Sequence, residues 1–143
     1  MADRERVRDE VERHADLVSL CEMPPDDILT LVNLLTSKTG RSWYYHFVAK
    51  YPGYPEGNLI LSKHSFVSTS SRYLSYERSI GQVTVNVGGK NVNFFATHLD
   101  HTSSGLRYQQ VSEIQSFMSN FAEPRIVGGD FNAGPNTSTY ELL

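Results

Sequence analysis

The sequence predicts an α/β layered fold around a mixed β-sheet. Apolar, β-branched segments alternate with segments of helical spacing, and a pair of alternating runs joined by Gly-Gly marks an antiparallel hairpin within that series. No internal repeat, low-complexity tract or linker divides the chain, so residues 1–143 are expected to form a single domain.

Residues 3–14 mix acids with arginines and place Val7 and Val11 four apart, which predicts a surface helix with one narrow apolar edge. Residues 15–22 (ADLVSLCE) are a strand, since Leu17, Val18, Leu20 and Cys21 form a nearly continuous apolar run of the kind covered on both faces, with Glu22 at its carboxyl end. Pro24-Pro25-Asp26-Asp27 opens a second helix, because proline fits a first turn and acids favour the positive end of the dipole. Gly40 closes it, and Ile28, Leu31, Val32, Leu34 and Leu35 supply its buried face. Aromatic and β-branched content makes residues 43–49 a strand, Pro and Gly make residues 51–57 (YPGYPEG) a loop, and residues 58–62 are the next strand. Residues 73–87 and 91–97 are two alternating runs joined by Gly88-Gly89, a pair suited to the positive φ angles of a tight hairpin. Leu106, Val111, Ile114, Met118 and Phe121 recur at helical spacing, so a helix over 104–121 is expected to pack on that sheet; residues 125–129 are a last strand.

Composition narrows the function classes. Of 143 residues, 39% are hydrophobic and 20% charged, ordinary for a globular domain. Apolar stretches such as Leu59-Ile60-Leu61 are far shorter than the roughly 20 residues of a membrane span. The charged start, MADRERVRDEVERHAD, lacks the apolar core of an export leader, so the chain as written carries no export signal and leaves its localisation open. The lone Cys21 excludes an internal disulfide and is expected to be inert core. The net charge is −3, but nine acids and only four bases lie in residues 1–27, which leaves the remainder at +2. That excess permits a phosphate-bearing partner without the dense basic stripe of an avid nucleic-acid binder.

Three polar residues, Glu22, His98 and Asp130, fall where apolar strands run out, and strand carboxyl ends are where ligand sites collect in α/β sheets. Alternation along residues 91–99 puts Val92, Phe94, Ala96 and His98 on one face. In an extended segment Asp130 and Asn132 point the same way while Phe131 turns into the core. Oxygen ligands without thiolates suit a hard cation such as Mg²⁺, held by Glu22 and Asp130 with water or substrate completing its shell. His98 and Asn132 can hydrogen-bond a phosphoryl oxygen or orient substrate and water, and Arg107 can reach a carboxylate or phosphate. The combination describes metal-assisted phosphoester hydrolysis. Taken singly, each residue also has a structural explanation: Glu22 as a dipole-favoured acid, His98 as a satisfied strand-end histidine, Asp130 and Asn132 as turn chemistry, Arg107 as helix surface. His14, His46, His64 and His101 show no ligand spacing and are expected on the surface or in packing.

The same segments resemble the endonuclease/exonuclease/phosphatase superfamily, with its deoxyribonuclease I-like α/β sandwich of mixed β-sheet and flanking helices. ADLVSLCE at 15–22 is similar to the strand ending in the family's metal-binding glutamate, with Cys21 where glutamine is usual. EGNLILSKHSF at 56–66 is similar to its G-N-A-I-L-S strand, giving Asn58 a supporting role; FFATHLDH at 94–101 resembles its T-H-L segment, and RYQQ at 107–110 its Arg-x-x-Gln. GGDFNAGP at 128–135 is similar to its G-D-F-N loop. The resemblance covers residues 15 to about 140, and the order and spacing of five motifs make it specific. It implies a metal-binding Glu22, a phosphate-contacting catalytic His98, and transition-state, nucleophile-positioning and metal-related roles for Asp130 and Asn132, with Arg107 and Asn58 in support. The cofactor implied is Mg²⁺, with Mn²⁺ as substitute, and the substrate a phosphate ester of nucleic acid, phospholipid or small molecule.

The family pattern also has an initial strand with an active-site asparagine and a terminal Ser-Asp-His that supplies the general base, and neither is matched here. The chain is therefore expected to be an incomplete member, truncated at both ends, with impaired hydrolysis and with exposed sheet edges open to self-association. Two alternatives stay open: a phosphate-ligand binding module without turnover, and a structural fragment that needs a complementing half. The loop from Tyr51 to Tyr54 can stack a base, cover a lipid headgroup, or simply pack.

Overall fold

The computed structural model describes Glu5, residues 16–135, Thr137 and Thr139. In chain order it comprises β1 (Leu17–Met23), a 3₁₀ turn (Pro25–Asp27), α1 (Ile28–Thr39), β2 (Tyr44–Ala49), β3 (Gly57–Ser62), β4 (Phe66–Leu74), β5 (Arg78–Val87), β6 (Lys90–His98), α2 (Ser104–Met118) and β7 (Arg125–Asp130). The helix expected over residues 3–14 lies, Glu5 apart, outside the described residues.

The strands form two sheets. One is three-stranded and antiparallel, in the order β1-β3-β2; the other runs β4-β5-β6-β7 and is the mixed sheet, because α2 returns the chain so that β7 lies parallel to β6. Period-two alternation sorts their side chains into layers. Leu59 and Leu61 of β3 pack with Trp43 against Ile28, Leu31 and Leu35 of α1, while Ile60 turns the other way to meet Val83, Val85, Phe94 and Ala96 between the sheets. On the far face of the mixed sheet, Ile80, Phe95 and Leu99 pack with Val111, Ile114 and Phe117 of α2. The result is an α/β/β/α sandwich. Phe95 is fully buried and meets Phe117 and Phe121 edge-on, with ring centroids 6.1 and 5.4 Å away. Each such pair contributes about 0.5–1.5 kcal/mol beyond its buried area.

Local chemistry explains where the elements start and stop. Gly40 ends α1 in the left-handed conformation at φ +68°, and the Ser103 hydroxyl caps α2 by accepting from the Leu106 amide. The Gly88-Gly89 hairpin has positive φ at both residues, and Asn86 Oδ1 accepts from the Gly89 amide.

Several boundaries differ from expectation. The run at 73–87 is not one strand: Tyr76 and Glu77 take positive φ (61° and 59°) and form a turn between β4 and β5. The Ser/Thr-rich edge strand β4 gives little apolar alternation to read, since most of it is solvent-facing. The helix expected to reach Phe121 ends at Met118, after which Asn120 and Phe121 fold into a turn that still delivers Phe121 to the core. Strand β1 touches both layers, but as an edge strand its Leu17–Cys21 stretch is only half-buried, and it carries Glu22 inside a register shift instead of at its end. Among the described residues, no helix is long and apolar enough to cross a membrane.

Candidate functional site

Antiparallel pairing assembles the site. β1, β2, β6 and β7 end, and β3 and β5 begin, at one rim of the sandwich, as the pairings Met23↔Gly57, Ala49↔Gly57, Ile80↔Thr97 and His98↔Asp130 require. There Glu22, Lys50, Tyr54, Glu56, Gly57, Asn58, Arg78, Ser79 and His98 line a cavity of about 40 Å³. A roomier open groove of about 700 Å³ lies at the opposite end of the mixed sheet, between Lys90 and Arg125, but its one acid, Glu123, is already ion-paired to Arg125 at 3.1 Å. The chemistry collects in the smaller cavity.

Backbone geometry aims these side chains. The shift between Leu20 and Met23 puts Glu22 at φ +56°, a left-handed conformation that non-glycine residues adopt only under surrounding constraint. Ser79 joins three strands: its carbonyl accepts from Asn58 Nδ2 at 3.2 Å and Thr97 Oγ1 at 2.9 Å. Gly57 must be glycine because a Cβ there would run into the Val48 carbonyl oxygen, and that close approach seats the start of β3 against β2.

His98 and Asp130 are register partners in the parallel pair, so both project from the inter-sheet face, and His98 Nε2 lies 3.6 Å from Asp130 Oδ2. Gly129, at φ +143°, lets β7 pass the Thr97 carbonyl, which a Cβ would strike. Asn132 does not continue an extended segment as expected. Its φ is +49°, its amide N–H donates to Asp130 Oδ1 at 2.9 Å, and its Nδ2 donates to the Leu99 carbonyl at 2.8 Å. Asn132 therefore fastens the loop that presents Asp130. Phe131 turns toward the α2 core as expected.

Arg107 stands apart from the cavity and donates through Nη1 to the Asp100 carbonyl at 3.3 Å, bracing the segment after His98. The RYQQ segment contributes more through Gln110, whose fully buried side chain bridges the Asp100 amide and the Ser75 carbonyl. Cys21 is half-buried, with its thiol 3.6 Å from the Thr97 carbonyl; burial pushes its pKa up, against reactivity.

A model of the Endonuclease/Exonuclease/phosphatase family matches residues 1–143. The chain belongs to that family. Solved structures agree on the fold: an endonuclease/exonuclease/phosphatase family protein from Leptotrichia buccalis superposes with TM-score 0.80 at 19% identity over 97% of this chain. The Bacteroides thetaiotaomicron mannosyl-6-phosphatase gives 0.78 at 17% identity over 97%, and the human Nocturnin catalytic domain, with bound sulfate, 0.75 at 20% identity over 98%. The chain spans 65%, 60% and 60% of those three chains' own lengths. No curated protein matches the chain significantly.

Within the family frame, the sequence missed the cavity's cations. Arg78 is only 4% exposed; among the described residues its Nε has no hydrogen-bond partner, while its Nη2 lies 3.4 Å from His101 Nδ1 and its charge acts on Asp100. Lys50 Nζ sits 4.9 Å over the Tyr54 ring. Among the described residues, neither cation forms an ion pair with Glu22, Glu56 or any other carboxylate. In the sequence Arg78 is one polar residue within the run read as a strand over 73–87; only the structure shows that β5 buries its first eight residues, Arg78 among them, before Asn86 and Val87 emerge. Burial, followed by the Arg78 charge, holds the His98 pKa below the ordinary histidine value, while Asp130 and Glu22 pull the other way. Burial opposes ionisation of Asp100, but hydrogen bonds from Thr102 and Ser103, together with Arg78, hold its carboxyl below the usual range.

Among the described residues, no three His, Cys, Asp or Glu side chains converge in a ready metal cage. The donor chemistry nonetheless fits a hydrated hard cation, which needs only one or two carboxylates: Glu22 lines the cavity with no ion pair among the described residues, and Asp130 stands beside His98.

Proposed function

We propose that the chain carries the phosphate-handling site of a divalent-metal-dependent phosphoester hydrolase. The observation that supports it is the meeting of Glu22, Asn58, Arg78 and His98 on one small cavity, with Asp130 3.6 Å from His98. Glu22 and Asp130 would hold Mg²⁺ or, in its place, Mn²⁺, which when bound withdraws charge from a phosphoryl group. His98, kept neutral near pH 7, has one N–H to donate to a phosphoryl oxygen, and Asp130, 3.6 Å from Nε2, is too far to take that proton in a hydrogen bond. Arg78 and Lys50 offset phosphate charge, and Asn132 and Arg107 act as positioning residues through Asp130 and the Asp100 segment.

The test is Mg²⁺- or Mn²⁺-dependent hydrolysis of p-nitrophenyl phosphate and bis(p-nitrophenyl) phosphate by the whole chain, with Asp130→Ala beside it. Metal-dependent turnover lost in Asp130→Ala supports the hydrolase. Absence of turnover removes it and favours the second reading, a phosphate-binding module, for which Arg78 and Lys50, without an ion pair among the described residues, speak.

A further inference from the structure

Resting on that reading, we infer that Tyr54 is a positioning residue: its ring holds the Lys50 ammonium at the cavity, clear of the carboxylates there, for contact with a phosphoryl oxygen.

The first ground is where Lys50 goes. It lines the cavity together with Glu22 and Glu56, while Asp130 stands beside His98 and Asp100 feels the Arg78 charge. A lysine on its flexible four-carbon stem readily swings to a carboxylate within reach. Among the described residues Lys50 pairs with none of these acids, and its Nζ lies 4.9 Å over the Tyr54 ring instead. A ring face attracts the ammonium through its quadrupole without cancelling the charge. The N–H groups therefore stay available to an incoming oxygen.

The second ground is how the ring is held. Lys50 and Tyr54 belong to one closed loop, in which the Lys50 amide donates to the Glu56 carbonyl at 2.9 Å and the Tyr54 amide to the Tyr51 carbonyl at 3.0 Å. Pro52 followed by Gly53 at φ +82° is the sequence that such a tight turn requires. Tyr51 then packs against Tyr54 with ring centroids 4.6 Å apart. The loop's own bonds and the Tyr51 ring thus set Tyr54 before any ligand arrives, which spares Lys50 part of the rotamer freedom it would lose on binding. Arg78, the other cation of the lining, is fixed by burial; Lys50 is only half-buried and depends on the ring.

The test is isothermal titration of the whole chain with inorganic phosphate in Mg²⁺. Lys50→Met should weaken binding about tenfold and Tyr54→Leu about fivefold, while Tyr54→Phe, which keeps the ring, stays within about twofold of wild type. The double variant Lys50→Met/Tyr54→Leu should bind no more weakly than Lys50→Met alone, because Tyr54 acts through the lysine. In the free protein the Lys50 ε-methylene proton signal should lie upfield in wild type and Tyr54→Phe and return to its ordinary position in Tyr54→Leu. Wild-type affinity in Tyr54→Leu, an equal loss in Tyr54→Phe, additive losses in the double variant or an unshifted Lys50 signal overturns the inference, and Asp130-dependent turnover that persists beside any of these spares the hydrolase. Absence of phosphate binding by the wild-type chain overturns it as well. Coupled loss of phosphate binding in a chain without turnover upholds the inference while removing the hydrolase.

Discussion

Replacing Gln110 tests how the site is held together. Its Oε1 accepts from the Asp100 amide at 2.9 Å and its Nε2 donates to the Ser75 carbonyl at 3.0 Å, so one side chain ties the segment after His98 to the turn before Arg78. Gln110→Met keeps the length and approximate volume but neither hydrogen bond. The Asp100 amide is then left buried and unpaired, at a cost of about 1–3 kcal/mol, and the partly wetted Ser75 carbonyl adds a cost near the low end of that range. The expected loss is about 2–4 kcal/mol, or a fall of about 10 °C in Tm. Urea denaturation followed by circular dichroism measures it, with Gln109→Met as control. Gln109 bonds Tyr76 and Ser75 only at the surface, so its loss should stay within about 0.5 kcal/mol. Amide exchange at Asp100 should accelerate in Gln110→Met alone. Equal stability of the two variants, with Asp100 exchange unchanged, would refute the tie.

Asp130→Asn retains the Oδ1 that accepts from the Asn132 amide and removes the charge beside His98. Because this carboxylate is 54% exposed, stability should change by less than about 1 kcal/mol, while any metal-dependent turnover falls by at least about 100-fold; a large loss of stability would mark Asp130 as structural. The same variant should move the His98 titration in an NMR pH series further down, since Asp130 opposes the downward shift, and an upward move would contradict the assignment. The unfolded histidine titrates near about 6.5 and the folded one below it, so between the two values the unfolded state binds more protons. His98 should therefore stabilise fully above pH ~6.5 and lose that contribution as pH falls through its folded pKa; His98→Gln should flatten that part of the urea-midpoint profile. Gly129→Ala drives a Cβ into the Thr97 carbonyl and should cost about 2–4 kcal/mol in chemical denaturation; a neutral outcome would show that β7 is not held against β6 there.

The sequence made the site half legible because it was read at strand carboxyl ends. Glu22, His98 and Asp130 lie at or near such ends, and the structure brings Glu22 and His98 to one cavity with Asp130 beside His98. Arg78, Ser79 and Asn58 sit where strands begin, and only antiparallel pairing carries those amino ends to the same rim. Asn58 entered through a resemblance; Arg78 had no local pattern to betray it.

Alternation and helical spacing by themselves determined the layers, since a residue's face follows from a period of two or 3.6 once the element is known. They assigned His98, with Val92, Phe94 and Ala96, to the inward face of its strand. Tertiary structure decided what no local window contains: that the strands split into two sheets, that Tyr76 and Glu77 break a continuous β pattern, and that burial, then the charge of an arginine distant in sequence, depress the histidine's pKa. Such features depend on which segments meet across long sequence separations, where packing and desolvation outweigh local propensity.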